Sequence, residues 1–329
     1  MNINCNSSIN NTKTNVKRKD VVSEFTKHKI MTAKLVPRYV QLAKLFDDDR
    51  FDKWAYRVEN CGSYLEFYNF EKAGLKVKTA NFCSDRLCAL CNWRRSLRMF
   101  AKLSKIIQSK QYVETEYKNL FLTLTVKNCS IDELHESIEN IFYSFKKFIQ
   151  HKVISAAIKG YFRALEITYN PQTRTFHPHL HLILAVGRNY FQKEYISQAD
   201  FTEIWKQSLV ADYTPVVDIR RFRDSKGIAE ASKYVIKSDN KFLNSISNEA
   251  LRILRLELQS IRLVGFGGVF RKIAAELKLT MNDDVVEIDL PDNDVLIEIL
   301  KFRWSVGLKN YEIFERERVG FSLYRKYTI

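Results

Sequence analysis

Phe176-His177-Pro178-His179-Leu180-His181-Leu182-Ile183-Leu184 places three of the chain's six histidines on alternate positions of an apolar run. Alternate residues of a strand face the same side. Read as a strand, the run projects His177, His179 and His181 from one sheet face and packs Leu180, Leu182 and Leu184 behind it. Neutral imidazole is a common ligand for divalent ions, so the face reads as a metal platform. A surface strand would also alternate polar with apolar residues, but a chain this poor in His rarely sets three of them at every second position.

Upstream, Arg163-Ala164-Leu165-Glu166-Ile167-Thr168-Tyr169 alternates in the same way, and Asn170-Pro171-Gln172-Thr173-Arg174 between the runs is turn chemistry. The pair reads as a hairpin. A turn centred between Gln172 and Thr173 sets Glu166 opposite His179 and Thr168 opposite His177, and directly paired residues share a face. Glu166 is the expected third ligand beside His179 and His181, with His177 the alternative. A one-residue bulge would turn Glu166 away.

A chain of 329 residues accommodates two domains, or one large domain with appendages. Its 53 Lys and Arg against 38 Asp and Glu give a formal net charge of +15, which favours nucleic acid as partner and a membrane surface second. No apolar run approaches the length of a membrane span, and the first twenty residues contain no signal-peptide core. The expectation is a soluble cytoplasmic protein without disulfides, whose cysteines are metal ligands or bystanders.

Residues 1–20, rich in Asn, Ser, Thr and Lys, are expected to form a disordered tail. Apolar spacing from Val21 to about Tyr56 predicts one or two short helices. Cys61, then Cys83, Cys88 and Cys91, supply four thiolates for a closed tetrahedral zinc site, structural because no coordination position is left open. Cys5 and Cys129 fall outside any ligand spacing. From Asn92 to Ile107 an amphipathic helix is expected, with Trp93, Leu97, Phe100, Leu103 and Ile107 as its apolar stripe. Arg94, Arg98, Lys102 and Lys105 fall on another face. With Arg95 they form a candidate contact for DNA phosphates. Residues 21–116 thus read as an N-terminal region of helices, cysteine cluster and basic helix.

From 117 the pattern becomes regular. Asn119–Val126 is a β run, and Ser130-Ile131-Asp132-Glu133 is a capping box opening a helix. The histidine hairpin, a helix from about Gln198 to Leu209, a strand over Val216–Phe222 and a helix over Ile228–Lys237 follow. Strand, helix, strand, strand, helix, strand is the split βαββαβ order of a ferredoxin-like α+β fold, with helices on one side of an antiparallel sheet and the histidines on a face left free. Residues 117–240 form this domain. Glu249–Leu263 and Asp294–Phe302 carry apolar residues at helical spacing, so 241–329 reads as a small, mainly helical extension. An acidic patch surrounds Asp283, Asp284, Glu287 and Asp289.

In the helix over Ile228–Lys237, Glu230, Tyr234 and Lys237 share one face. A phenol, an ammonium and a carboxylate suit a two-step phosphoryl transfer. The phenol attacks phosphorus, the ammonium offsets charge on the phosphate, and the carboxylate later activates water. With an ordinary pKa of about 10, a tyrosine needs a cation nearby to do this at neutral pH. On its own, a Glu and a Lys flanking a half-buried Tyr are unremarkable in a helix.

Cys88-Ala89-Leu90-Cys91-Asn92-Trp93-Arg94-Arg95-Ser96-Leu97, Phe121–Val126, His177-Pro178-His179-Leu180-His181 and Lys233-Tyr234-Val235-Ile236-Lys237 together resemble the replication initiators of small rolling-circle plasmids of Gram-positive bacteria, members of the HUH endonuclease superfamily. The resemblance covers about residues 55–240. It implies an enzyme that nicks one strand at the plus origin, with Tyr234 as the single nucleophile and a 5′-phosphotyrosine intermediate. Glu230 stands where the family activates water to end a round, and His179 and His181 stand at the positions that bind Mg²⁺ or Mn²⁺. Plasmid origin DNA, presented single-stranded or as a hairpin, and the host helicase and polymerase are the implied partners. A relaxase or transposase of the same superfamily, or a non-enzymatic zinc-containing DNA-binding regulator, are the alternatives. The regulator leaves the three histidines without a purpose.

Overall fold

The computed structural model describes residues 18–222, 227–229, 240–280, 291 and 294–319. Within them lie nine strands: β1 (Tyr64–Phe70), β2 (Gly74–Ala80), β3 (Lys118–Thr125), β4 (Ile158–Asn170), β5 (Thr175–Val186), β6 (Val217–Phe222), β7 (Val264–Gly268), β8 (Leu296–Ser305) and β9 (Asn310–Arg318). The fold is mixed α and β with two antiparallel sheets, ordered β2-β1-β8-β9 and β6-β3-β5-β4-β7. The chain divides into two compact units, one from Met1–His28, Gly62–Asn81 and Glu287–Ile329, the other from Lys29–Cys61 and Phe82–Val286. No helix among the described residues is long and apolar enough to cross a membrane.

The first unit holds the four-stranded sheet. Phe67 on β1 meets Phe25 edge-on at 5.5 Å and Phe302 on β8 at 5.4 Å. These aromatic contacts supply its small core. One expectation is corrected here. Asp294–Phe302 contributes to strand β8 where a helix was expected, and the stretch between Cys61 and Cys83, for which no element was predicted, forms the β1–β2 hairpin. The run Leu296-Ile297-Glu298-Ile299-Leu300 is nearly continuous in apolar residues, so periodicity alone does not separate the two states. Among its described residues the 241–329 extension combines the helices Asn240–Ser245, Asn248–Ser260 and Val269–Glu276 with β7, β8 and β9. The disordered reading of the tail and the acidic patch at Asp283, Asp284, Glu287 and Asp289 lie outside the described residues, except that 18–20 open the helix Arg18–Ala33.

The second unit holds the five-stranded sheet. Helices Leu134–Gln150 and Gln198–Leu209 cover one face, over Leu120, Leu122, Leu124, Leu180, Leu182 and Leu184, all of them buried. The Phe145 ring meets Tyr161 of β4 edge-on, and the Trp205 indole N–H donates to the Thr125 carbonyl at 2.8 Å. The capping box expected at Ser130–Glu133 forms only in half, in the turn before the helix Leu134–Gln150, whose N-cap Glu133 makes no side-chain cap bond, and the complete box at the second helix was not foreseen. The Glu133 carboxylate accepts from the Ser130 backbone N–H, and Ser197 with Asp200 completes a full capping box.

The opposite face is not left bare, as had been expected. Phe121, Phe162, Ala164, Ile183 and Ala185 share it with the histidines, and they pack under Met99, Leu103 and Ile106 of the helix Ala89–Ile107 and Phe270, Ile273 and Ala274 of the helix Val269–Glu276. Apolar side chains at one end of the face demand cover. Strand β7, unforeseen, extends the sheet beyond β4, and its glycines permit the close pairing. A Cβ at Gly267 would strike the Tyr161 ring, and Gly268 adopts φ +55°.

Three helices, Arg18–Ala33, Leu35–Phe46 and Asp49–Glu59, stand where one or two were expected. One buried ion pair ties part of this region to the rest of its unit. Asp85 accepts from Arg255 Nε at 2.7 Å, from the Tyr39 hydroxyl at 3.0 Å and from the Leu87 N–H at 2.8 Å. The Arg255 guanidinium lies 3.7 Å from the centre of the Trp54 ring. Removing one partner leaves the other charge buried and uncompensated. Arg255→Leu should therefore cost about 3–5 kcal/mol in urea unfolding. Adding Asp85→Asn should recover part of that loss.

Candidate metal centres

Strands β4 and β5 pair in the register expected from the turn, with Glu166 opposite His179 and Thr168 opposite His177. Asn170 builds the turn by accepting the Gln172 N–H through its side-chain oxygen at 3.0 Å, and Arg174 takes the left-handed conformation at φ +54°. The only irregularity in this pairing lies at the far end, between Ile158 and Gly160. No bulge intervenes near the histidines.

The result is a compact cluster in which Glu166, His179 and His181 bring ligand atoms within 4.8 Å of one another. Glu166 Oε2 lies 2.9 Å from His181 Nε2 and 3.6 Å from His179 Nε2. The opposite ring nitrogens are also engaged. His179 Nδ1 faces the His177 carbonyl at 3.1 Å, and His181 Nδ1 faces Thr123 Oγ1 at 3.2 Å. A carbonyl only accepts, so His179 Nδ1 carries a proton, and Nε2 is the ring atom directed into the cluster. Burial pushes the Glu166 carboxyl up, but hydrogen bonds and charge from His179 and His181 outweigh it and hold the group well below the usual carboxylate range. Two imidazoles and one ionised carboxylate could hold a divalent cation. His177 stands outside this set. Its ring lies 5.3 Å from that of His179, and burial followed by the charge of His179 lowers its pKa.

A cleft of about 430 Å³ opens beside Glu166, lined by Thr168, Tyr169, Asn170, Lys241, Phe242 and Ser245 among others. The cleft sets an aromatic side chain, amide groups and one lysine next to the carboxylate of the candidate metal site. Sequence reasoning missed this cleft because its second wall comes from the distant helix Asn240–Ser245.

The four cysteines meet as the spacing predicts. Cys61 and Cys91, Cys83 and Cys91, and Cys88 and Cys61 each lie 3.6 Å apart, sulfur to sulfur. A tetrahedral site with bonds of about 2.3 Å has sulfur separations near 3.8 Å, so the set fits a thiophilic ion. Gly62 N–H donates to the Asn81 carbonyl at 3.0 Å, closing the β1–β2 excursion so that its two ends return together. Cys88 caps the helix Ala89–Ile107, where its sulfur accepts the Cys91 N–H. Burial raises the Cys88 thiol, yet hydrogen bonds from Cys61, Cys83, Cys91 and Thr32 hold it well below the ordinary value. The Lys29 ammonium, buried beside the cluster, donates to the carbonyls of Glu59 and Cys61. Neither Lys29 nor Thr32 carries a signal in the sequence, because both arrive from a separate helix.

A family model described as Replication protein matches residues 74–312. The chain is 35% identical over 306 residues to a "Protein rep" of Bacillus amyloliquefaciens, covering 84% of this chain and 90% of the relative. It is 34% identical over 267 residues to a "Protein rep" of Streptococcus pneumoniae serotype 2, covering 78% of this chain and 82% of that one. No solved structure matches. The chain belongs to the replication protein family. It is a plasmid replication initiator, as the motifs implied.

In this initiator two residues, Arg95 and Lys102, drop out of the expected DNA-binding face of the helix Ala89–Ile107, while Lys105 is exposed. Arg95 is buried and donates to the carbonyls of Asp85 at 3.0 Å and Ser84 at 2.5 Å. Lys102 is buried and donates to the Thr280 carbonyl at 2.6 Å. Arg94 is desolvated enough to lower its pKa to about 10, and Arg98 is half-buried. The loop carrying the cysteines has carbonyls with no ladder to join, and the Arg95 fork satisfies two of them. The buried positions accordingly follow Asn92, Arg95, Met99, Lys102 and Ile106, whereas Leu97 of the expected stripe is 44% exposed.

Glu230, Tyr234 and Lys237 lie outside the described residues; the chain is helical at 227–229 just before them. Protein treated with a strong chelator should lose thermal stability and regain it on adding one equivalent of zinc as probe, read as Tm. Cys88→Ser should abolish the recovery.

Proposed function

We propose that this initiator nicks one strand at the origin of a rolling-circle plasmid as an HUH endonuclease. The observation that carries the reading is the convergence of His179 Nε2 and His181 Nε2 on one Glu166 oxygen, on the sheet face that borders the cleft. The strand order β6-β3-β5-β4 supports it further, since numbering these four in chain order gives the 4-1-3-2 arrangement of a split βαββαβ sheet, with β7 added outside.

Glu166, His179 and His181 would hold Mg²⁺ or Mn²⁺, with His177 in reserve, and Cys61, Cys83, Cys88 and Cys91 would hold Zn²⁺ as a structural brace. When bound, the divalent cation offsets negative charge on the scissile phosphate. The Tyr234 oxygen attacks phosphorus, the bond from phosphorus to the 3′ oxygen breaks, and the strand leaves with a 3′-OH that primes synthesis. The 5′-phosphate stays on Tyr234. Lys237 offsets charge on the phosphate during transfer. At the end of a round Glu230 takes a proton from water, whose oxygen displaces Tyr234 from phosphorus. The reading places the protein in the cytoplasm, on single-stranded or hairpin origin DNA, with host helicase and polymerase following.

Supercoiled plasmid carrying the cognate origin should be relaxed in Mn²⁺ and left intact in EDTA, with a covalent protein–DNA adduct visible on denaturing gels. Tyr234→Phe should lose relaxation and adduct while still binding origin DNA. An unchanged adduct would assign the nucleophile elsewhere, and a wild-type protein that binds the origin without cutting it would favour the non-enzymatic regulator. Glu230→Ala should nick normally and accumulate adduct at termination.

A further inference from the structure

His179 and His181 are held on their far sides by different groups. His179 has the His177 carbonyl, fixed by the backbone, whereas His181 has a side chain, Thr123. Thr123 sits on β3 directly opposite His181 in the ladder, so its hydroxyl reaches Nδ1 at 3.2 Å while Nε2 on the other side of the ring faces Glu166 at 2.9 Å. The Phe121 ring lies 5.4 Å from the same imidazole at an interplanar angle of 32°. Three side chains, from the two strands that flank β5, thus bound one ring.

We infer that Thr123 is a positioning residue for the metal site, setting the ring orientation of His181 so that Nε2 meets the cation. The inference rests on the proposal that Glu166, His179 and His181 bind that cation. The torsion about the imidazole is broad and roughly two-fold, so a bond at Nε2 alone leaves the ring free to pivot or flip. A second bond at Nδ1 removes that freedom. Threonine is suited to the task because its β-branch stiffens χ1, which fixes the hydroxyl in space. A hydroxyl also both donates and accepts. It accepts from Nδ1–H when Nε2 ligates, and it donates to Nδ1 when Nε2–H faces Glu166. A carbonyl, as at His179, serves only the first arrangement.

Partners of metal-bound histidines typically contribute 10- to 100-fold in metal affinity. Zinc-loaded, full-length protein titrated with Mn²⁺ in a calorimeter should bind one ion at the histidine site, and His179→Ala should abolish that binding. Thr123→Val, which keeps shape and strand preference, should weaken Mn²⁺ binding about 10- to 100-fold while origin-DNA binding in EDTA stays unchanged. Thr123→Ser should restore most of the affinity and Thr123→Ala should not, a pair that differs only by the hydroxyl. The ¹⁵N shifts of His181 in the metal-free protein should report one ordered tautomer for wild type and Thr123→Ser, and exchange broadening for Thr123→Ala. Equal Mn²⁺ affinity in wild type and Thr123→Val, or equally weak binding by the Ser and Ala variants, would overturn the role of the hydroxyl while leaving the metal site in place. A wild-type protein that binds no Mn²⁺ would overturn the metal-site reading, and this inference with it.

Discussion

The pairing of β4 with β5 in one register is the constraint on which the candidate metal-binding face depends. A strand has a side-chain period of two, so a slip of one residue would turn Glu166 to the helical side and leave the histidines without a carboxylate. Two features hold the register. The Asn170 side chain and the left-handed Arg174 set the turn. Behind the sheet, Leu165, Ile167, Leu180, Leu182 and Leu184 are all buried to 1% exposure or less. A slip of β4 would turn Leu165 and Ile167 toward the histidines and bury Glu166 among apolar side chains, two penalties of the same sign. The geometry of the site is thus stabilised by residues that never touch it.

The same face has two halves with opposite requirements. At one end Glu166, His179, His181 and Thr123 need polar partners and access to solvent. At the other, Phe121, Phe162, Ile183 and Ala185 need cover, which the helices Ala89–Ile107 and Val269–Glu276 supply. The cysteine cluster fixes the start of the first of these helices, since Cys88 is its cap and Cys91 lies in its first turn. Arg95 then joins that turn to the backbone of the cysteine loop. Ligand set, cap and guanidinium act on the same few residues, so the helix that roofs the apolar half is anchored by polar groups at its N-terminal end and by Met99, Leu103 and Ile106 further along.

What could be read from sequence was set by the range of the interactions involved. The β4–β5 hairpin was legible because its two halves are separated by a four-residue turn and their pattern fixes the pairing. The cysteine cluster was legible because only one of its spacings is long. Arg95 and Lys102 were misread for the converse reason. Their partners, carbonyls of the cysteine loop and of Thr280, are invisible to periodicity, and a basic residue buried against a carbonyl has the same helical phase as one facing a phosphate. β7 escaped notice because Gly265, Gly267 and Gly268 make a weak strand signal. Those glycines are there to admit Tyr161 and Arg163 of β4, a requirement that exists only once the sheet has formed.

A carboxylate in the third position, with a histidine held in reserve, has a consequence for the ion. Three imidazoles would favour the borderline ions at the top of the affinity order, copper and zinc above all, whereas an ionised carboxylate moves the set toward harder cations such as manganese and magnesium. Glu166 is held ionised by the two imidazoles before any ion arrives. It therefore brings a full negative charge to a site bordered by a half-buried sheet face, where the interaction with a cation is screened less than in bulk water. The thiolates of Cys61, Cys83, Cys88 and Cys91 offer thiophilic ions a separate, fully buried alternative within the same unit. Under the proposed reading, soft ligands gathered in one cluster and a hard one placed in the other would keep two different ions apart without relying on affinity order alone.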